Sequence, residues 1–481
     1  MGSINKPHAV LIPYPAQGHV NPFMQLGKLL HSRGFHVTFV NNHFNHNRLL
    51  RSKGEQFLKG CPDFVFESMP DGLPESDPDA TQDIEALSDS ARKYMIGPLV
   101  ELLGRVNGSG GHVPKITCVI PDGFMCFGML AAEKLGVPAV PFWTASACGF
   151  MAYLHIGQLI QKGLIPHKSE SFESDGSLDT PVGWIPGMQH ARLRDLPFAT
   201  RTTNPDAVLL NCLRDEVQDD LRAPAIIFNI FEEFEQEIFD ELKKLYPHQL
   251  HPIGPLSLLE RHVVPHDSPV RAHRPTLWKD DDNCLDWLDA QPDGSVVYVN
   301  YGSIAVLSEQ HFREFAWGLA GSKHRFLWIV RRDVVKDMAG VLNKEFHDEV
   351  KDRAMIASWC AQDKVLDHPS VGAFLTHCGW NSMVEAVCGG KPMICCAYFA
   401  EQPTNCRFAA KVWGVGVEID PDVKRENICE LVKEMMEGEE GKRMKAKALD
   451  WKKKAEVATA VGGSAYQSFD KVLDVLNSPV E

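Results

Sequence analysis

The feature that most constrains the fold is a regular alternation. Short apolar runs are each followed by a polar turn and a helix-length stretch. In the first half these runs are His8 to Pro13, then FHVTFVN (35–41), ITCVIPD (116–122) and VPAVPFW (137–143). After about residue 295 the pattern restarts with SVVYVNYGS (295–303), RFLWIVR (325–331), AMIASW (354–359), GAFLTH (372–377) and PMICCA (392–397). Strands alternating with helices predict parallel sheets covered on both faces. In such sheets ligands gather at the carboxyl ends of the strands. At 481 residues the chain is long enough for two such domains.

The segment from Trp359 to Gln402 places chemistry on that edge twice. GAFLTH ends in His377, and a turn of small and polar residues (Cys378, Gly379, Trp380, Asn381, Ser382) leads into a helix carrying Glu385. PMICCA ends near Glu401 and Gln402. Asn381 and Ser382 stand where the helix starts, so backbone N–H groups and the positive end of the helix dipole suit a phosphate. Asn381 and Glu385 share a helix face, so one can meet phosphate while the other meets a ribose hydroxyl.

This block resembles the signature box of plant secondary-product glycosyltransferases that use UDP-sugars, across its whole span. The resemblance implies a GT-B architecture: two Rossmann-like α/β domains with parallel sheets facing a cleft. It implies that Trp359 stacks on uracil and that Gln362 and Glu385 hold the ribose. His377, Asn381, Ser382 and Ser303 meet the diphosphate, and Trp380, Glu401 and Gln402 hold the sugar. Cys360, beside Trp359, joins the UDP-sugar-binding set. The chain departs from the family pattern in two places. Cys396-Ala397 stands where Trp-Pro is usual, and Glu401 stands where Asp is usual. The first widens the acceptor side of the pocket in this reading, and the second lengthens the arm of a carboxylate that touches the sugar.

A donor site alone is not an enzyme. Transfer to a hydroxyl needs a base for the acceptor proton, and histidine suits that near neutral pH. His19 follows the first strand, on a loop before a helix expected to open at Pro22. Asp122 ends ITCVIPD at the same edge. The family uses a His-Asp pair in these two contexts, so His19 is the expected base and Asp122 the carboxylate that orients its ring. Ser303 is expected where a strand gives way to a helix. Thr144 is placed within reach of the sugar. Phe124, Trp143, Phe150, Met151 and Phe198 are expected to wall the acceptor pocket from the first domain, with Tyr398 contributing from the second. The acceptor implied by the resemblance is a small lipophilic alcohol, in the branch that takes terpenoids, cyanohydrins, flavonoids or hormones.

The expected domains are 1–255 for the acceptor, an exposed linker at 256–281, 282–463 for the UDP-sugar, and a C-terminal helix at 464–481 packing back on the first domain. The net charge of −14 and the lack of a long basic run exclude a nucleic-acid partner. Thirteen cysteines with no zinc spacing predict reduced thiols and no resident metal. Asp280-Asp281-Asp282 imitates a metal-binding DxD, but it lies away from any strand end; His377 and the helix starts are expected to supply the counter-charge to the diphosphate instead. No cofactor is expected beyond UDP-glucose as co-substrate. The N-terminus carries no signal-peptide pattern, and the uncharged stretch 135–161 is broken early by Pro138 and Pro141, so a cytoplasmic monomer with no membrane span is expected. A nicotinamide oxidoreductase is disfavoured because no GxGxxG follows a strand at either domain start. A non-catalytic sugar-nucleotide-binding protein is the remaining alternative, and His19 with Asp122 argues against it.

Overall fold

The computed structural model describes residues 6–478 except 78–80, 110–112, 247, 274, 275, 279, 280, 282, 332, 333, 336 and 337. Of the acidic triplet, Asp280 and Asp282 lie outside the described residues. The chain divides into two compact units, residues 1–189, 199–278 and 457–481 in the first, and 190–198 and 279–456 in the second.

The first unit is built on β1 (His8–Ile12), β2 (His36–Asn42), β3 (Phe64–Met69) and β4 (Cys118–Pro121), paired in parallel in the order β3-β2-β1-β4. Isolated parallel bridges, Val119–Ala139 and Asp122–Phe142, continue it into β5 (Phe142–Trp143), β6 (Ala225–Phe228) and β7 (Gln249–Pro252). Every residue of β1 and β2 is buried, which is why these strands read as unbroken apolar runs rather than alternating ones. The helix Ser464–Asn477 places Phe469, Val472 and Leu476 in the core of this unit.

The exposed linker expected at 256–281 is corrected. Leu256, Leu258 and Leu259 lie on a helix, Leu256–Val263, at 0–3% exposure, and Val264 and Val270 join the same core. Leu256 and Leu259, three apart, share one face and Leu258 borders it, so the helix turns an apolar side inward even though the flanking residues are polar.

The second unit holds β8 (Val296–Asn300), β9 (Arg325–Ile329), β10 (Ala354–Ala357), β11 (Val371–Thr376), β12 (Met393–Cys395) and β13 (Gly416–Glu418). They pair in parallel in the order β10-β9-β8-β11-β12-β13. This is the doubly wound order in which connections run outward from the middle pair. The switch points lie between β1 and β4 in one unit and between β8 and β11 in the other. The crevice at each switch point collects the loops from those strands. No helix among the described residues is long and apolar enough to cross a membrane.

Candidate functional site

At the first switch point, the chain leaves β1 through a short turn and enters the helix Gln17–Ser32. His19 is therefore the third helical residue, not part of a loop, and Pro22 lies inside the helix rather than opening it. A proline ring crowds the carbonyl four residues back, and that carbonyl belongs to Gly18, which has no side chain to add to the crowding.

Asp122 leaves β4 with its N–H donating to the Ile12 carbonyl, and it is fully buried. The carboxylate accepts from the Tyr14 N–H at 3.3 Å on Oδ2 and from the Phe124 N–H at 3.1 Å on Oδ1. Backbone donors fix it in place, and its Oδ2 lies 2.8 Å from His19 Nδ1. A carboxylate there holds the proton on Nδ1 and leaves Nε2 to accept one.

Thr144, expected within reach of the sugar, has its hydroxyl 2.7 Å from His19 Nδ1 and 3.5 Å from Asp122 Oδ2, at 3% exposure. It belongs to the support of the dyad.

The aromatic residues assigned to the acceptor pocket separate into two groups. Phe124 is part-exposed, with its ring 5.6 Å from the His19 ring. Trp143, Phe150 and Met151 are fully buried; Trp143 stacks behind Phe124 at 4.4 Å and packs on Phe150 at 4.8 Å. They back the wall rather than line it. Phe198 does not belong to the first unit: it is 42% exposed, falls in the second unit and donates its N–H to the Ala400 carbonyl at 2.8 Å. Tyr398 packs against the second core, 6.1 Å from the Tyr301 ring. Sequence reading missed Tyr14, whose ring lies 5.1 Å from His19; its only signal was its place on the turn leading to that helix.

At the second switch point, β11 ends in Thr376, and its Oγ accepts the Cys378 N–H at 3.1 Å. Cys378 turns the chain at φ 64°, a left-handed conformation uncommon for a side-chain-bearing residue. The helix Trp380–Gly389 then starts on Gly379 with no capping side chain. Asn381 and Ser382 are its second and third residues, where helix N–H groups have no carbonyl to meet within the helix.

His377 is wedged. A Cβ on Gly302, which sits at φ 74°, would lie within 2.3 Å of His377 Nε2, and a Cβ on Gly379 within 2.4 Å. Burial first, and the charge of Arg331 second, push its pKa down to about 4. On its own His377 is therefore neutral near pH 7 and offers a hydrogen bond, while a diphosphate beside it would favour the charged form. Its Nδ1 is buried with no hydrogen-bond partner among the described residues, and buried polar atoms are rarely left so. Arg331 braces the adjoining loop through the carbonyls of Gly302 and Ala305.

Ser303 was expected where strand passes to helix. It lies in a turn, and the next helix starts at Glu309 with Ser308 as its cap.

Gln362, expected to touch ribose, has its amide at the hub of a network. Its Oε1 accepts from the Asn300 amide at 2.7 Å and the Tyr298 hydroxyl at 3.1 Å. Its Nε2 donates to Ser382 Oγ at 2.9 Å and to Glu385 Oε2 at 2.7 Å. Cys360 lies behind it, 5% exposed, its Sγ 3.3 Å from the Tyr298 hydroxyl. Tyr298 and Asn300 escaped the sequence reading. They alternate on one face of β8, which was the available signal.

Trp359 is half-buried and its carbonyl accepts the Asp281 N–H at 3.0 Å. Trp380 is 4% exposed, its ring 5.9 Å from Trp413. Glu401 accepts the Asn405 amide at 3.2 Å. The Gln402 carbonyl oxygen accepts the N–H groups of Tyr398 and Phe399, each at 2.9 Å. Those two donors fix the orientation of the amide, so the end of Gln402 left for a ligand is its NH2.

Taken separately, the first unit holds an oriented histidine base beside an aromatic wall. The second holds a neutral imidazole, a helix start and a Gln–Glu–Ser network at one sheet edge, the equipment for a phosphorylated, hydroxyl-rich ligand.

Comparisons with known proteins identify the relatives of this chain. The family model described as UDP-glucoronosyl and UDP-glucosyl transferase matches residues 62–449. The chain is 52% identical to linamarin synthase 1 of Manihot esculenta over 98% of this chain and 97% of that protein. It is 50% identical to 7-deoxyloganetin glucosyltransferase of Catharanthus roseus over 99% of each. Among solved structures, a UDP-glucosyltransferase from Polygonum tinctorium capable of glucosylating indoxyl, in complex with 3,4-dichloroaniline, superposes with a TM-score of 0.79 at 29% identity, covering 98% of this chain and 99% of that one.

Proposed function

The chain belongs to the UDP-glucoronosyl and UDP-glucosyl transferase family, it has the GT-B fold, and on that premise we propose that it passes glucose from UDP-glucose to a hydroxyl of a small lipophilic molecule with inversion, giving a β-glucoside. The activity class, glucosyl transfer to small acceptors, is that of its relatives. The observation that carries the mechanism is the 2.8 Å contact between His19 Nδ1 and the buried Asp122 carboxylate.

In this reading the acceptor oxygen attacks the anomeric carbon while His19 Nε2 takes its proton. The new C–O bond forms as the bond to the UDP oxygen breaks, and UDP leaves with the electron pair. Asp122 steadies the imidazolium that results. Asn381, Ser382 and His377 receive the diphosphate, the helix start contributing positive potential. Glu385 meets the ribose, held in place by Gln362. Ser303 and Trp380 complete the donor set, and Glu401 and Gln402 read the sugar hydroxyls.

Uracil stacking on Trp359 does not involve the sugar. Trp359→Ala is therefore expected to weaken UDP and UDP-glucose alike, by roughly 1–3 kcal/mol if the stack resembles base–aromatic stacking elsewhere. Calorimetry with both ligands checks this; an unchanged affinity for either makes Trp359 a packing residue. Activity is expected to survive EDTA, because the diphosphate is met by a helix start and neutral donors; a tenfold loss restored by magnesium would contradict this.

UDP-glucose should exceed UDP-galactose in kcat/KM by at least about tenfold, because a misplaced 4-hydroxyl leaves buried groups unpaired. With its oxygen committed to Tyr398 and Phe399, Gln402 donates to the sugar while Glu401 accepts. Gln402→His is expected to change the donor ratio. Equal use of both donors by the unaltered enzyme would defeat this specificity reading. The acceptor itself is tested by screening small phenols, terpenoids and cyanohydrins with UDP-glucose and reading products by mass.

A further inference from the structure

Behind the donor-site turn lie three thiols that the mechanism does not use. Cys378 is on the turn after β11, Cys395 closes β12, and Cys406 is on the helix Gln402–Phe408. Their Sγ atoms all lie within 4.8 Å of one another, and the residues are 0%, 0% and 2% exposed. Each comes from a different element, so nothing in local chain geometry forces them together.

We propose that Cys378, Cys395 and Cys406 form a binding site for a soft, thiophilic metal ion, and that filling it weakens the grip on the donor. The ligand set supports the first half. Three sulfurs with no histidine or carboxylate among the clustered atoms favour soft ions such as Cu(I) or Zn(II) over magnesium or calcium. A Zn–S bond of about 2.3 Å implies tetrahedral sulfur separations near 3.8 Å, so the sulfurs need to close by no more than about 1 Å. The thiols lose their protons as the ion binds.

The second half rests on the donor-site reading above. Cys378 lies between His377 and Gly379, and Gly379 approaches the His377 ring so closely that a Cβ there would fall 2.4 Å from Nε2. The Cys378 carbonyl also accepts the Asn405 amide at 3.0 Å, and that amide reaches Glu401. Drawing Cys378 and Cys406 together therefore moves His377 and the start of the helix Trp380–Gly389, and pulls on Glu401 from the other side.

The test uses the full chain, reduced and stripped of metals, with Cd2+ as probe. Expected is one tightly held Cd2+ per chain by dialysis, with thiolate charge-transfer absorption. Cys406→Ser should weaken binding by more than about 100-fold, beyond what a change outside the ligand set usually gives. Cys61→Ser, a part-buried thiol on the first unit, should leave binding unchanged. Cys395→Ser repeats the test if Cys406→Ser melts early. With Cd2+ bound, the Kd for UDP should rise at least severalfold in the unaltered protein and not in Cys406→Ser. Equal Cd2+ binding by the unaltered protein and both serine variants would overturn the site. Binding that is lost in the variants while UDP affinity never changes would uphold the site and overturn its link to the donor turn.

Discussion

His19→Ala is expected to lower turnover by about two to four orders of magnitude, the contribution general-base catalysis usually makes, while UDP binds as before. The proposed base stands on the first unit, held by Asp122 and Thr144, and the residues proposed to bind the nucleotide stand on the second. His19 bonds Asp122 and Thr144, whereas Gln362 bonds Asn300, Tyr298, Ser382 and Glu385, so removing the imidazole takes none of those bonds from the donor network. The checks are single-turnover rates with saturating UDP-glucose and calorimetry with UDP. A variant that keeps more than a tenth of normal turnover would place the base elsewhere. One that loses UDP affinity would mean that His19 had been supporting the donor.

Gly302→Ala is expected to cost roughly 1.5–3 kcal/mol of UDP binding, the worth of a hydrogen bond to a charged group, or some ten- to hundredfold in Kd. The added methyl lands 2.3 Å from His377 Nε2 at a φ of 74°, and Gly379 also crowds that atom. The ring must leave its position. Backbone strain at Gly302 confuses a simple comparison, so the double variant Gly302→Ala/His377→Ala is needed. Once the ring is gone the methyl has nothing to displace, and the two losses should not add. Gly302→Ala binding UDP as the unaltered protein does would show that His377 is not a ligand for it.

Much of this was legible in the chain. Buried parallel strands show themselves as apolar runs, and the polar residues at the ends of GAFLTH, PMICCA and ITCVIPD mark the sheet edges where ligands collect. His19 and Asp122 were readable because each follows a strand at the switch point. What escaped depends on contacts distant in sequence. Thr144 reaches His19 across 125 residues and Asn300 reaches Gln362 across 62; no local pattern records either contact. Phe198 was misassigned because the short segment 190–198 packs with the other unit. The low pKa of His377 escaped the sequence because burial, not residue type, sets it. Leu256–Val263 was taken for linker because its histidine, arginine and glutamate obscured a single buried face.

The most direct test of the central claim is transfer itself, measured with UDP-glucose and a panel of cyanohydrins, terpenoid alcohols and phenols. The anomeric configuration is read by NMR for every product found. The expected result is a β-glucoside formed in step with UDP release and lost in His19→Ala. An α-glucoside, or UDP release that proceeds equally well in His19→Ala, would contradict it.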